Sequence, residues 1–313
     1  MAKITGPGSL NVDITGFAPR LPVMGETVSG RTIQMGPGGK GNNQMTAAHR
    51  AGAQTVLIGC RGRDPLGKVI EEHLSTEGMD TRFVSIRENV STGGALIEVD
   101  DTDAQNRILV MPGANGTVGR AEVLAAEAEF ADCDAVLTQF ETTAEAVLAA
   151  KELAHKYAKP FILNPAPCLP MPEGLYEGVD YLTPNETEAG LLTGITVESA
   201  ADCRAAAEKL LAMGVKHVII TLGSRGVYYF DGETEITLPA LPVKPVDTTG
   251  AGDAFNGGFA VAVAEGADIP TALRFATCTA ALSVSRAGAS SSMPYREEID
   301  RQMQACCGCG PKA

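Results

Sequence analysis

Short apolar runs alternate with amphipathic stretches along most of the chain. Residues 56–60, 135–139, 161–164, 181–183 and 217–221 are largely apolar, as strands buried on both faces of a parallel sheet are. Between them, apolar residues recur at helical spacing over 42–51, 65–76, 121–130, 144–157, 186–193 and 200–213. The same period returns over 253–264, 270–284 and 296–304. This alternation predicts an α/β fold, a doubly wound, mostly parallel sheet flanked by helices. In such sheets ligands sit beyond the carboxyl ends of the strands.

Two regions break the rhythm. Residues 12–17 with 27–35, and 92–100 with 107–111, alternate apolar and polar side chains and have no helix between the members of a pair. Alternation means one wet face. We read them as a small β-sheet lid, inserted from about 12–35 and 92–111 into a single α/β domain covering 1–313; edge hairpins of the main sheet are the alternative. Ile14, Ile33, Leu96, Ile108 and Val110 are expected to share its apolar face. So small a sheet has little core and unpaired edges, which predicts a homodimer joined lid to lid.

Composition narrows the classes of partner. The chain has 313 residues, 44% of them hydrophobic and 20% charged, with a formal net charge of −13 at pH 7. Lys and Arg form no cluster, so nucleic acid and anionic membranes are poor partners. No apolar run is long enough to span a bilayer and the start shows no signal-peptide core, which makes the cytosol the expected compartment. Cys60, Cys133, Cys168, Cys203 and Cys278 lie in apolar or helical contexts and read as buried small hydrophobes. Cys306, Cys307 and Cys309 crowd the C-terminus without the paired spacing of a zinc site, leaving an oxidisable tail as the other reading.

The densest chemistry lies in DTTGAGDAFNGG, Asp247 to Gly258. Gly250, Ala251 and Gly252 lack bulk and open a helix, whose free N–H groups and dipole make an anion site. Asp253 beside that site would repel an anion. It is either a helix cap or a proton acceptor for a hydroxyl attacking phosphorus. Near the N-terminus, GSLNVD places Asn11 and Asp13 where the first strand is expected to end, and GGKGNNQ places Gly39, Lys40 and Asn43 at a helix start. Carboxylate, amide and close backbone N–H groups suit the reading of sugar hydroxyls. Glu141 follows a strand, and so does PNETE, which sets Asn185 and Glu188 three apart. That spacing suits either a hydrated magnesium ion or an N-cap with its capping-box partner. TLGSRG, with Thr221, Gly223, Ser224 and Gly226, is a strand end and turn suited to lying along a nucleotide.

Other patterns fail on context. GPGGKG at 36–41 follows a half-polar segment and no ribose-binding acid follows it, so it is a poor dinucleotide site. GRDPLGKV at 62–69 has Val69 where a P-loop needs Ser or Thr, and Asp64–Pro65 reads as a helix cap and first turn. His49, His73, His155 and His217 have no GxSxG elbow nearby.

Taken together, GGKGNNQMTAAHRAGA, NPAP, TPNETEA, TLGSRGV and DTTGAGDAFNGG, in that order, resemble the ribokinase family of sugar and nucleoside kinases, the PfkB carbohydrate kinases. The resemblance runs from about Lys3 to Asp300. It implies ATP-dependent transfer of the γ-phosphoryl to a primary hydroxyl, the 5-hydroxyl of D-ribose, with Asp253 as base and Gly250, Ala251 and Gly252 as anion hole. It implies sugar contacts from Asn11, Asp13, Gly39, Lys40, Asn43, Glu141 and Asp253. Asn185 and Glu188 would organise Mg2+ and the phosphates, through water in the family pattern. Nucleotide contacts would come from Asn185, Thr221, Gly223, Ser224, Gly226, Gly252 and Thr277. A monovalent-cation site, for K+, would be built from Asp247, Thr249, Ser283, Arg286, Gly288 and Ser292, several through backbone carbonyls. Family members also dimerise through such a lid.

The chain departs from the pattern at four places. Gly6–Pro7 interrupts the first strand, Pro37 precedes the sugar-binding glycines, Thr277 stands where histidine is common, and the cysteine tail has no counterpart. The alternatives are a kinase for 2-deoxyribose, fructose or a nucleoside, and a sugar-binding regulator without catalysis. A nucleoside would want an aromatic wall, and the lid offers few aromatics beyond Phe17.

Overall fold

The computed structural model describes residues 1–100, 102, 105–169, 172 and 174–307, the last two through their backbone. Among the described residues, nine strands form the main sheet in the order β13-β12-β11-β10-β9-β8-β1-β4-β5. They are β1 Lys3–Pro7, β4 Gln54–Gly62, β5 Val84–Arg87, β8 Ala135–Gln139, β9 Phe161–Asn164, β10 Tyr181–Leu182, β11 His217–Thr221, β12 Val227–Phe230 and β13 Glu235–Leu238. Pairing is parallel from β5 to β11, and β12 and β13 turn back as an antiparallel edge hairpin.

Side-chain alternation along these strands feeds two cores. Val136, Val218 and Ile220 pack on one side with α3 Arg120–Ala125, α4 Glu127–Asp132, α5 Ala144–Lys156, α6 Glu186–Thr193 and α7 Ala200–Ala212. Leu137 and Ile219 pack on the other with α1 Lys40–Arg50, α2 Pro65–Glu77, α8 Ala251–Ala264, α9 Ile269–Val284 and α10 Arg296–Cys307. The expected α/β architecture with a second, smaller sheet is what the chain forms.

The second sheet has the order β3-β2-β6-β7, from β2 Asn11–Ala18, β3 Thr32–Gly38, β6 Gly93–Asp100 and β7 Asn106–Met111. Its register overturns one expectation. Ile14 aligns with Met35 and Leu96, and Gly16 with Ile33, whereas Ile108 aligns with Ile97 and Val110 with Ala95. Aligned residues share a face. Ile14, Ile33 and Leu96 therefore lie on one side, and Ile108 and Val110 lie on the other, with Asp13.

Other expectations also shift. The stretch 121–130 is two short helices, α3 and α4, meeting at Ala126, whose φ of −98° and ψ of 13° interrupt the helix. Asn11 and Asp13 do not end the first strand; β1 stops at Pro7 and they open β2. Strand β1 runs through Gly6–Pro7, with Pro7 in register with Ile58 and its carbonyl accepting from Thr138 Oγ1 at 2.9 Å. The strand expected over 27–35 forms later, as β3. Cys60, Cys133, Cys203 and Cys278 are buried, but Cys168 is only half-buried. Cys309 and the side chains of Cys306 and Cys307 lie outside the described residues. Among the described residues, no helix is long and apolar enough to cross a membrane.

Candidate active site

The carboxyl ends of β8, β9, β10 and β11 meet the first turns of α1, α6 and α8. Helix α8 enters through Gly250, whose φ of +76° suits glycine. The Ala251 N–H turns back to the Thr248 carbonyl at 3.2 Å. Among the described residues, the N–H groups of Gly250 and Gly252 have no such partner, and they open on a cleft that Asp253, Lys40 and Glu188 also line. A Cβ at Gly257 would lie 2.6 Å from both the Gln44 carbonyl and Ala47 Cβ, so glycine there lets α1 and α8 touch. That approach brings α1 amides onto Asp253. Asn43 Nδ2 donates to Asp253 Oδ2 at 2.9 Å, and Gln44 Nε2 donates to Asp253 Oδ1 at 3.0 Å.

A sugar-sized set of polar groups adjoins Asp253. Glu141 Oε2 accepts from Ser9 Oγ at 2.6 Å and from the Lys40 backbone N–H at 2.9 Å. Asn11 Oδ1 accepts from Asn115 Nδ2 at 2.7 Å, which fixes the Asn11 amide. Gly39 is the N-cap of α1. Burial pulls the Lys40 ammonium down, but the charges of Asp253, Glu141, Glu188 and Asp13 outweigh it, and its pKa is raised. Burial, with the charges of Glu141 and Asp253, pushes Asp13 up to about 6. Glu188 is raised by burial in the same way, against the Asn185 N–H and Lys40. The centre thus holds one lysine among four carboxylates.

Each remaining sequence-derived position has a definite place. Asn185 and Glu188 form a reciprocal capping box, Glu188 N–H to Asn185 Oδ1 at 2.8 Å and Asn185 N–H to Glu188 Oε2 at 2.9 Å, and both still line the cleft. Thr221 lines it too, whereas Gly223, Ser224 and Gly226 form the turn into β12, outside its lining. Thr277 lies on α9 with its hydroxyl spent on the Leu273 carbonyl at 2.8 Å. Asp247 accepts from the Thr249 and Gly288 N–H groups, each at 2.9 Å, stitching two loops together. Ser283 and Ser292 share a hydrogen bond of 2.7 Å beside them. The Arg286 side chain turns away to pair with Glu298, leaving its backbone to that loop.

Several residues at the centre went unrecognised in the sequence. Ser290 Oγ donates to Asn43 Oδ1 at 2.6 Å, and Asn164, Thr183, Thr248 and Asn256 line the cleft. Asn164 carried a signal as the first residue of NPAP after a strand, and Thr248 and Asn256 lay within DTTGAGDAFNGG.

Residues 1–296 match the pfkB family carbohydrate kinase model. The chain belongs to that family. As a pfkB-family member it is a carbohydrate kinase, a sugar phosphotransferase. It is 40% identical to the ribokinase of Bacillus subtilis over 301 residues, covering 96% of this chain and 99% of the relative. It is 33% identical to the deoxyribokinase of Salmonella typhi over 297 residues, covering 95% and 97%. A structure of Arabidopsis thaliana ribokinase complexed with ribose and ATP superposes with a TM-score of 0.91 at 35% identity, covering 97% of this chain and 99% of that one.

Proposed function

We propose that this kinase transfers the γ-phosphoryl of ATP to the 5-hydroxyl of D-ribose. The observation that carries the reading is the buried Asp253 carboxylate, in the first turn of α8, beside the unpartnered N–H groups of Gly250 and Gly252. In this reading Asp253 takes the proton of the attacking hydroxyl. As it does so, that oxygen bonds to the γ-phosphorus, and the bond from phosphorus to the β–γ bridging oxygen breaks, leaving ADP. The anion hole of the Gly250 and Gly252 N–H groups, with Ala251 between them, receives the charge of the transferred group. Asn11, Asp13, Gly39, Lys40, Asn43 and Glu141 hold the sugar, and Lys40 adds positive charge where the phosphoryl crosses.

One lysine among four carboxylates leaves the site short of positive charge for a triphosphate, so a divalent ion fits as the phosphates' companion. Among the described residues, no three His, Cys, Asp or Glu side chains could hold a metal by themselves. The ion would therefore be shared between the phosphates and Asn185 and Glu188, through water. Magnesium supplies charge neutralisation at the phosphates when bound. Thr221, Gly223, Ser224, Gly226, Gly252, Asn185 and Thr277 are the nucleotide side of the reading, and the loops of Asp247, Thr249, Ser283, Arg286, Gly288 and Ser292 its monovalent-cation side.

Ribose is favoured over 2-deoxyribose by the greater identity to a ribokinase than to a deoxyribokinase. A coupled ADP assay on ribose, 2-deoxyribose, fructose and a nucleoside tests the choice. Ribose should give the highest kcat/KM, with 2-deoxyribose at least about tenfold lower because a hydroxyl reader is left unpaired. A preference for any other member of the panel overturns it. Asp253→Asn should lower kcat by at least about a thousandfold while sugar and ATP still bind by calorimetry.

A further inference from the structure

Two side-chain amides leave α1 side by side and end on the two oxygens of Asp253. An ionised carboxylate only accepts hydrogen bonds, so each amide must present its NH2 group there. This requirement orients all of Gln44. Its Nε2 faces Asp253 Oδ1 at 3.0 Å and Asn164 Oδ1 at 3.1 Å, and its Oε1 accepts from Gln139 Nε2 at 2.9 Å. Gln139 and Asn164 are the last residues of β8 and β9, and Asn164 is anchored in turn, its Nδ2 donating to the Thr183 carbonyl at 2.9 Å. Gln44 is fully buried and absent from the lining of the cleft.

We propose that Gln44 is a positioning residue that holds the Asp253 carboxylate in its accepting form, aimed at the attacking hydroxyl. The proposal rests on the reading of Asp253 as the base. The ionisable groups interacting with Asp253 are Lys40 on α1, Asp13 on β2 and Glu188 on α6. Two of the three are carboxylates. A donated hydrogen bond favours the charged form, and a neutral amide gives it without the full positive charge that would blunt a base. An amide locked to two strand ends also fixes where the oxygen points, which a mobile cation does not.

The test is the pH profile of kcat at saturating ribose and ATP for Gln44→Glu and Gln44→Met, with KM and thermal unfolding measured alongside. Gln44→Glu keeps the shape and replaces the donor by an acceptor; two carboxylates about 3 Å apart do not both ionise. Its acid limb should move up by at least about one pH unit, with kcat falling at neutral pH and both KM values within about twofold of wild type. Gln44→Met fills nearly the same volume without a donor and should move the limb the same way by less. If one variant fails to fold, the other decides. An unmoved limb, with any loss of kcat equal at all pH values, overturns the proposal. Asp253→Asn separates the two ideas: an inactive Asp253→Asn with unmoved limbs at position 44 removes the positioning role alone, whereas an active one removes the base itself.

Discussion

Among the described residues, Lys40 is the one cation beside Asp13, Glu141, Glu188 and Asp253, whose charges raise its pKa against the pull of burial. Asp13 is the member with physiological consequence, because burial and its acidic neighbours hold it at about 6. Ionised, it accepts from a sugar hydroxyl more strongly than the neutral acid does, so the KM for ribose should rise as pH falls through 6. At pH 5 about a tenth of the sites are ionised, and KM should be higher by up to about tenfold; a KM flat from pH 8 to 5 argues against Asp13 as a sugar ligand. The linkage sign is opposite for folding. The native state binds this proton more tightly than the unfolded chain, so Asp13 adds stability to the unliganded protein as pH falls from about 6 toward 4 and withdraws it as pH rises. At this scale the charged residues were legible, since Asp13, Lys40 and Asp253 sit in short motifs of telling composition and Glu141 follows a strand end. The amides Asn11, Asn43 and Asn185 were legible in the same way, whereas the roles of three others were not. Gln44, Asn164 and Asn256 acquire meaning only from the partners that β8, β9 and α8 bring within reach, and Asn185–Glu188 fits a capping box and a cleft wall together.

At the scale of elements, the loop before α8 and the loop after α9 are held as one unit. Asp247 ties them, and the Val246 N–H reaches the Val284 carbonyl at 2.8 Å. From this unit Ser290 reaches Asn43, which reaches Asp253. A monovalent ion enclosed by these loops would thus adjust the base and the anion hole without touching substrate. Replacing sodium by potassium at fixed ionic strength should raise kcat by at least about fivefold, and Ser290→Ala should blunt that gain. No response to potassium, cesium or ammonium would count against the cation site. The long helices and the buried strands of this unit and its neighbours were readable from period alone. The break at Ala126 was not, because Ala is a good helix former and the 3.6-residue pattern continues across it. The β12–β13 hairpin was missed although Asp231–Gly232 is a turn signal, since VYYF shows no alternation that marks an edge.

Across the whole molecule, the feature still without a partner is the small sheet. Both of its faces carry exposed apolar side chains: Ile33 at 71% and Leu109 at 61% on one, Ile108 at 57% and Val110 at 47% on the other. The face with Asp13 and Ala95 borders the sugar groups, and Ile97 and Ile108 continue that face at the level of Thr15. Among the described residues, β3 and β7 are edge strands with no strand beyond them. Exposed apolar patches of this kind mark association sites on many proteins. We propose that a second copy covers this one, sheet against sheet, with two-fold symmetry. Sedimentation at micromolar concentration should show a dimer. Ile108→Asp places a charge on the sugar-side face and should lose both the dimer and sugar affinity, with KM for ribose at least about tenfold higher. Leu109→Asp probes the opposite face, and loss of the dimer there with an unchanged KM would move the interface to that side. A fully active monomer would mean that the sheet serves the sugar alone.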